Sequence, residues 1–336
     1  LYIFNPKDRI NMFKFTKILI YIIYPASFAG FMIFCLLTCG GDTKSSADKR
    51  EAQQDAPRRF VLPLIPGELK APEARAGYLA VHYWDNFDFS DTAYVHLPEI
   101  TEQALVDYLD IFSHTDQATA AASISAMLDR TLKEDHTGRM YRHFLSLYKD
   151  YLYDPNSPMR NEEYYIPVAN YILESVAGDQ VLKSRASFDL SMMLKNRKGD
   201  TASDIFYTLA NGQMGSLHNL SKDYTILFFY DPDCPACKET ARQLKTSPLV
   251  NGMLSSGKLA VLALYPDEDI ALWRKYIPSM PSSWINAYDK ERTVRNKVVY
   301  DLKAIPSLYL LDRNKQVLLK DANASAIQAW LSTLPE

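Results

Sequence analysis

The spacing of apolar residues changes period at Gly199. Before it, apolar side chains recur at helical intervals. Ala104, Leu105, Tyr108, Leu109 and Phe112 form one stripe, Ile124, Met127, Leu128 and Leu132 a second, and Met140, Phe144, Leu147, Tyr148 and Tyr151 a third. Asn161 is placed to cap a fourth helix, with Glu162 and Glu163 favourably set against its positive end. Val181, Leu182, Leu190, Met193 and Leu194 supply a last stripe. Asp154-Pro155-Asn156-Ser157-Pro158 marks a turn between the third and fourth helices. Residues 73–198 are therefore expected to form an all-α domain.

Beyond Gly199 the apolar runs shorten to strand length. Ile205 to Leu209, the turn pair Asn211-Gly212 and a polar stretch to Leu217 predict a β-hairpin. Tyr224 to Tyr230 and Leu259 to Tyr265 read as buried strands, with a helix from Cys234 to about Leu244 between them. Asp267 to Ile277 reads as an amphipathic helix stopped by Pro278. Ser307 to Leu311 and Val317 to Leu319 predict a second hairpin around Asp312-Arg313-Asn314-Lys315, and Ala326 to Leu331 a closing helix. The order, hairpin then β-α-β-α-β-β-α, gives an α/β domain over residues 199–336 and an α+β chain overall.

The first 72 residues carry a different pattern. Ile18 to Leu37 has no charge and follows Lys14 and Lys17, the arrangement of a secretory signal whose start is expected at Met12. Leu36-Leu37-Thr38-Cys39-Gly40-Gly41 resembles a bacterial lipobox, which implies that residues 1–38 are removed and that Cys39 is the lipid attachment site. Thr38 departs from the usual small residue. The apolar run is also long enough for a single transmembrane anchor, the alternative reading. Either places the remaining chain outside the cytoplasm at a cell envelope. Residues 39–72, polar at first and then punctuated by Pro57, Pro63, Pro66 and Pro72, are expected to be a flexible tether.

Composition narrows the classes. The 336 residues are 47% hydrophobic and 23% charged, which excludes wholesale disorder, and a formal net charge of −3 gives no support to a nucleic-acid partner. The four cysteines fall at 35, 39, 234 and 237, too few and too uneven for a disulfide-stapled scaffold. Cys234-Pro235-Ala236-Cys237 follows a predicted strand and opens a predicted helix, the context of a redox pair. A zinc site needs about four ligands, and neither a second downstream cysteine pair nor a ligand-spaced histidine set is present, so no metal is expected.

With its flanks, this site resembles the thioredoxin superfamily, and most closely the membrane-tethered thiol–disulfide oxidoreductases of bacterial envelopes. Gly199 to Ile205 with the Asn211-Gly212 turn, the Cys234–Cys237 site and Ala304-Ile305-Pro306-Ser307-Leu308-Tyr309 carry the resemblance, over residues 199–336. It implies a central mixed sheet flanked by helices, a cis Pro306 against the cysteines, and substrate binding by Ile305, Pro306, Pro235 and Ala236. It also implies no cofactor beyond a redox-active Cys234–Cys237 disulfide. Residues 75–170, through His82 to Phe89 and Tyr153 to Glu163, resemble an uncharacterised helical domain that precedes thioredoxin modules in some bacterial lipoproteins.

The expected chemistry follows. Cys234 at a helix N-terminus attacks a substrate disulfide, and Cys237, one turn on, resolves the mixed disulfide. The expected partners are protein or peptide disulfides, a membrane electron donor and the membrane itself. Asp231 and Asp233 oppose thiolate formation. Three departures from the family bear on proton handling. Asp233 stands where relatives often have Trp, Phe228 where thioredoxin has a buried Asp, and Thr240 where some envelope relatives have Glu, with Glu239 one residue early. Asp231 also argues against a peroxidase, which sets Thr or Ser three residues before its cysteine.

The rival reading is a non-catalytic or redox-sensing binding module, in which the aromatic cluster Tyr83 to Phe89 recognises an envelope partner. Core packing is the plainer role for those rings and for Trp273, Trp284 and Trp330. An acidic helix start is the plainer role for Asp267-Glu268-Asp269.

Overall fold

The computed structural model describes residues 58–335. The signal segment, Cys35, the lipobox with Cys39 and the first part of the expected tether lie outside the described residues. Among the described residues no helix is long and apolar enough to cross a membrane. The chain forms two compact units, one ending at Ala186 and the other beginning at Ser187.

The first unit is all-helical: α1 (Pro72–His82), α2 (Pro98–Ile111), α3 (Gln117–Glu134), α4 (Arg139–Tyr148) and α5 (Glu162–Glu174), with a 3-10 turn at Thr92–His96. The stripes read from the sequence form its core. Trp84 lies at its centre, with ring centroids 5.2 Å from Tyr83, 5.4 Å from Phe87 and Tyr108, 5.8 Å from Phe89 and 5.3 Å from Phe144. All six rings are buried, so the Tyr83–Phe89 cluster is packing and presents no recognition face. Asn161 caps α5 by accepting a bond from the Glu163 N–H.

The second part of the expected tether lies against this unit. Phe60 stacks on Tyr83 at 4.8 Å, Asn86 donates to the carbonyls of Val61 and Leu62, and Arg58 pairs with Asp91. Its prolines stiffen an extended segment that packs, because the segment also carries Phe60, Leu62 and Ile65.

Helix α6 (Gln180–Met193) spans the division between the units. Its buried positions are Ala186, Asp189, Met192 and Met193, whereas Val181 is 60% exposed and Leu194 also faces solvent. The predicted stripe therefore needs correction. At about 100° per residue Val181 falls roughly 120° round the helix from Met193. The end of α6 and the loop to Gly199 pack with the second unit. Lys320 Nζ donates to the carbonyls of Met193 and Lys195, each at 2.8 Å, and Asn196 Nδ2 to that of Val299 at 2.9 Å.

The second unit holds β1 (Phe206–Leu209), β2 (Met214–Ser216), β3 (Tyr224–Phe229), α7 (Pro235–Thr246), α8 (Pro248–Ser255), β4 (Leu259–Tyr265), α9 (Ile270–Tyr276), β5 (Ile285–Tyr288), α10 (Thr293–Asn296), β6 (Ser307–Asp312), β7 (Val317–Leu319) and α11 (Ala324–Leu331). One mixed sheet runs β2-β1-β5-β4-β3-β6-β7, with β3-β4 and β4-β5 parallel and the other pairs antiparallel. Both expected hairpins are present, and Gly212, at φ 88°, supplies the left-handed residue of the first. Strand β5 and helices α8 and α10 are additions to the predicted order.

The alternation along the strands sorts their side chains into two cores. Ile226, Phe228, Val261, Ala263, Leu308 and Leu310 face α7, α8, α9 and α11. Leu227, Phe229, Leu262, Leu264, Tyr309 and Leu311 pack on the other side with Ile205, Leu217, Val294 and Tyr300. Strand β3 lies between β4 and β6 and is buried on both faces, which accounts for its unbroken apolar run.

Candidate active site

The site begins where β3 runs out. Tyr230 still donates its N–H to the Leu264 carbonyl, and then Asp231 turns the chain. The Asp231 carboxylate accepts the Asp233 N–H at 2.7 Å and its carbonyl accepts the Cys234 N–H at 3.2 Å. This Asx turn leaves Cys234 in extended backbone as the N-cap of α7, with Pro235 in the first helical turn, where its fixed φ suits the helix and its missing N–H costs no bond.

Cys234 Sγ takes the role usually given to a capping oxygen. It accepts the N–H of Cys237 at 3.2 Å, and its thiol donates to the carbonyl oxygen of Ile305 at 3.6 Å. The Ile305–Pro306 peptide bond is cis. Chain segments 71 residues apart in sequence therefore meet at one sulfur, as the resemblance implied. Cys234 is partly exposed, and Pro235 and Ala236 are exposed beside it, while Ile305 and Pro306 are partly buried. The four residues expected to bind a substrate chain are thus each at least partly accessible, as Cys234 is.

Cys237 is 1% exposed and belongs to the core beneath α7. Burial pushes its thiol well above the ordinary cysteine range, and its hydrogen bond with Cys234 adds to the rise. A backbone hydrogen bond from Asp231 acts the other way, without outweighing burial. Both cysteines are free thiols, so this is the reduced arrangement.

No carboxylate is buried beside Cys237 from the strand. Phe228 is fully buried, stacks on Tyr230 at 5.4 Å and meets Trp284 edge-on at 6.4 Å. Glu239 is exposed, chelated by Arg242 at 2.6 and 2.8 Å and bonded to Gln243, so its offset from the family position leaves it outside the site. Aromatic rings line the inner side instead. Tyr230 lies 6.0 Å from Tyr276 and 6.5 Å from Tyr265, and burial raises its hydroxyl well above the usual phenol range. The sequence reading missed Tyr230, Tyr265 and Tyr276 at the site. The signal was the position of Tyr230 and Tyr265 at the carboxyl ends of adjacent parallel strands, where ligand sites of such sheets gather.

The acidic run resolves plainly. Asp269 caps α9, Asp267 chelates Arg295 at 2.9 and 3.1 Å, and Glu268 pairs with Arg292. Trp273 and Trp284 are buried, and Trp330 packs edge-on against Tyr224.

Comparison with known proteins agrees with this fold. Residues 222–317 match a family described as thioredoxin-like. A thioredoxin-like protein from Bacteroides caccae has a crystal structure that is 47% identical, with 83% of this chain and 100% of that one covered and a TM-score of 0.79. The chain belongs to the thioredoxin-like proteins. Residues 38–196 of this thioredoxin-like protein match a domain of unknown function, DUF5106. The C-terminal domain of an uncharacterized protein from Bacteroides fragilis is 46% identical over 41% of this chain and 98% of its own, with a TM-score of 0.40. A domain of a possible thiol-disulfide isomerase from Cytophaga hutchinsonii is 27% identical over 42% of this chain and 94% of its own, with a TM-score of 0.37. No curated protein matches the chain.

Proposed function

We propose that this thioredoxin-like protein carries out thiol–disulfide exchange on envelope proteins through Cys234-Pro235-Ala236-Cys237, in the reducing direction. The observation that carries the reading is the division of labour between the two sulfurs. One is accessible at a helix N-cap beside Ile305 and Pro306, and the other is buried one turn on, its N–H directed at the first.

In the forward reaction the Cys234 thiolate attacks one sulfur of a substrate disulfide. The S–S bond breaks, and the departing thiolate takes up a proton. Cys237, once deprotonated, attacks Cys234 Sγ and releases the second substrate thiol. The protein is left as the Cys234–Cys237 disulfide, two electrons poorer. The Cys237 N–H stabilises charge on Cys234, and the Ile305 backbone sits where a substrate chain pairs as a short strand.

The reducing direction is part of the proposal, and the reduction potential of the pair decides it. An envelope dithiol donor reduces the site again, and a lipid on Cys39, or a transmembrane anchor, holds the protein at the membrane. The helical unit offers no observation in favour of a separate recognition role for its aromatic cluster, since those rings are buried.

Reduction of insulin with a chemical dithiol as electron source tests the proposal. The wild-type chain is expected to turn over and Cys234→Ala to fall to background. Equal rates from both proteins reject it.

A further inference from the structure

Among the described residues five other than glycine have a positive φ, and Val298, at φ 47°, is the β-branched one. A β-branched side chain in the left-handed region is strained. Core packing does not compensate the strain, since the Val298 side chain is exposed. The turn is held from outside instead. Lys195 Nζ donates to the Val298 carbonyl at 2.5 Å, and Asn196 Nδ2 to the Val299 carbonyl at 2.9 Å. Strained residues of this kind persist only where the surroundings over-determine them, and they gather at functional sites.

The two donors belong to the short stretch after α6, and that stretch is itself fixed. Lys320 holds the carbonyls of Met193 and Lys195. Asn196 is buried, and its Oδ1 accepts the Ser203 N–H at 2.8 Å. The Ser203 carbonyl in turn accepts the Tyr300 hydroxyl at 2.6 Å. Residues 298–300 are thus tied one after another to residues 195, 196 and 203, all within the second unit. Tyr300 is buried and meets Phe229 at 5.1 Å and Tyr309 at 5.2 Å. From there the chain crosses to Ile305, whose carbonyl meets Cys234, and enters β6 at Ser307, in register with Phe229. The segment that carries Ile305 and Pro306 is therefore anchored at both ends, one by the sheet and the other by Lys195, Asn196 and Tyr300.

We propose that Lys195 and Asn196 are positioning residues for substrate binding. They hold Val298 in the strained turn, and the turn sets the path of the backbone to Ile305, where a substrate chain pairs. Their role presupposes the thiol–disulfide exchange proposed for Cys234.

Two variants on two substrates test this. Lys195→Met removes one donor and keeps the stem. Asn196→Asp keeps the acceptor for Ser203 and the left-handed preference, and loses the donor to Val299. A disulfide-bonded peptide has a chain to pair with Ile305, and hydroxyethyl disulfide has none. Each variant is expected to raise KM for the peptide roughly threefold to tenfold, with its rate on hydroxyethyl disulfide within about twofold of wild type. Val298→Gly reads the strain. Glycine adopts the left-handed turn freely, so adding Val298→Gly to Lys195→Met is expected to restore most of the peptide KM. A domain merely loosened by a lost bond would lose both substrates alike and gain nothing from that rescue. Lys195 is only partly buried, so Lys195→Met keeps the test decisive even if Asn196→Asp unfolds. An unchanged peptide KM in Lys195→Met, equal loss on both substrates, or no rescue by Val298→Gly overturns the proposal. A wild type that reduces neither substrate rejects the exchange itself, and the positioning role falls with it.

Discussion

The backbone N–H of Cys237 donates to the sulfur of Cys234 across 3.2 Å, while the sulfur of Cys237 itself is sealed in the core. The pair is thus asymmetric in access. Brief treatment of the reduced, native chain with iodoacetamide is expected to label Cys234 at least about tenfold faster than Cys237, as read by peptide mass spectrometry. Unfolding in urea is expected to abolish the difference. Equal labelling of the native protein contradicts the burial.

Burial of Cys237 also predicts a pH dependence of stability. Its thiol is raised in the folded chain above the unfolded value of about 8.5. Between those two values the folded state holds a proton that the unfolded state has lost, so stability falls as pH rises. The contribution is fully present below about pH 8.5 and is lost progressively above it, by at most about 1.4 kcal/mol per pH unit. Urea unfolding of the reduced protein at pH 8 and 9.5 is expected to show this fall, and Cys237→Ala to flatten it. A slope unaffected by the substitution assigns the effect elsewhere.

The proposed reducing direction sets the expected redox poise. The reduction potential is expected nearer the thioredoxin end of the range, about −270 mV, than the strongly oxidising end near −120 mV. Equilibration with glutathione buffers measures it. A value at the oxidising end reverses the proposed direction while leaving the exchange chemistry in place.

In the helical unit, Phe144 closes the ring cluster around Trp84 at 5.3 Å and is fully buried. Phe144→Ala is expected to cost about 3–5 kcal/mol through lost transfer energy and a residual cavity. Urea unfolding followed by far-ultraviolet circular dichroism reads it. A cost below about 1 kcal/mol places Phe144 outside the core.

Much of this molecule was legible in the sequence because its signals are local. The Asn211-Gly212 hairpin needs only a left-handed glycine, and the cysteine site needs only a strand, a turn and a helix in succession. The meeting of Cys234 with Ile305 was legible only through resemblance, since no local pattern links positions 71 residues apart. Strand β5 was not legible. Ile285-Asn286-Ala287-Tyr288 has neither length nor alternation, and it is a strand because β4 and β1 pair with it on either side. Helix α8 carries its own local signal in Ser247-Pro248, a capping serine before a first-turn proline. The last helical stripe does not form one buried face, because Val181 lies roughly 120° round the helix from Met193.

The central claim is that Cys234 attacks and Cys237 resolves. Incubation of reduced Cys237→Ala protein with a disulfide-bonded peptide, quenched in acid and read by intact mass, tests it most directly. The account predicts a stable adduct of one peptide thiol located at Cys234, reversible with reductant and absent from Cys234→Ala. No adduct at Cys234, or one that forms equally in its absence, contradicts it.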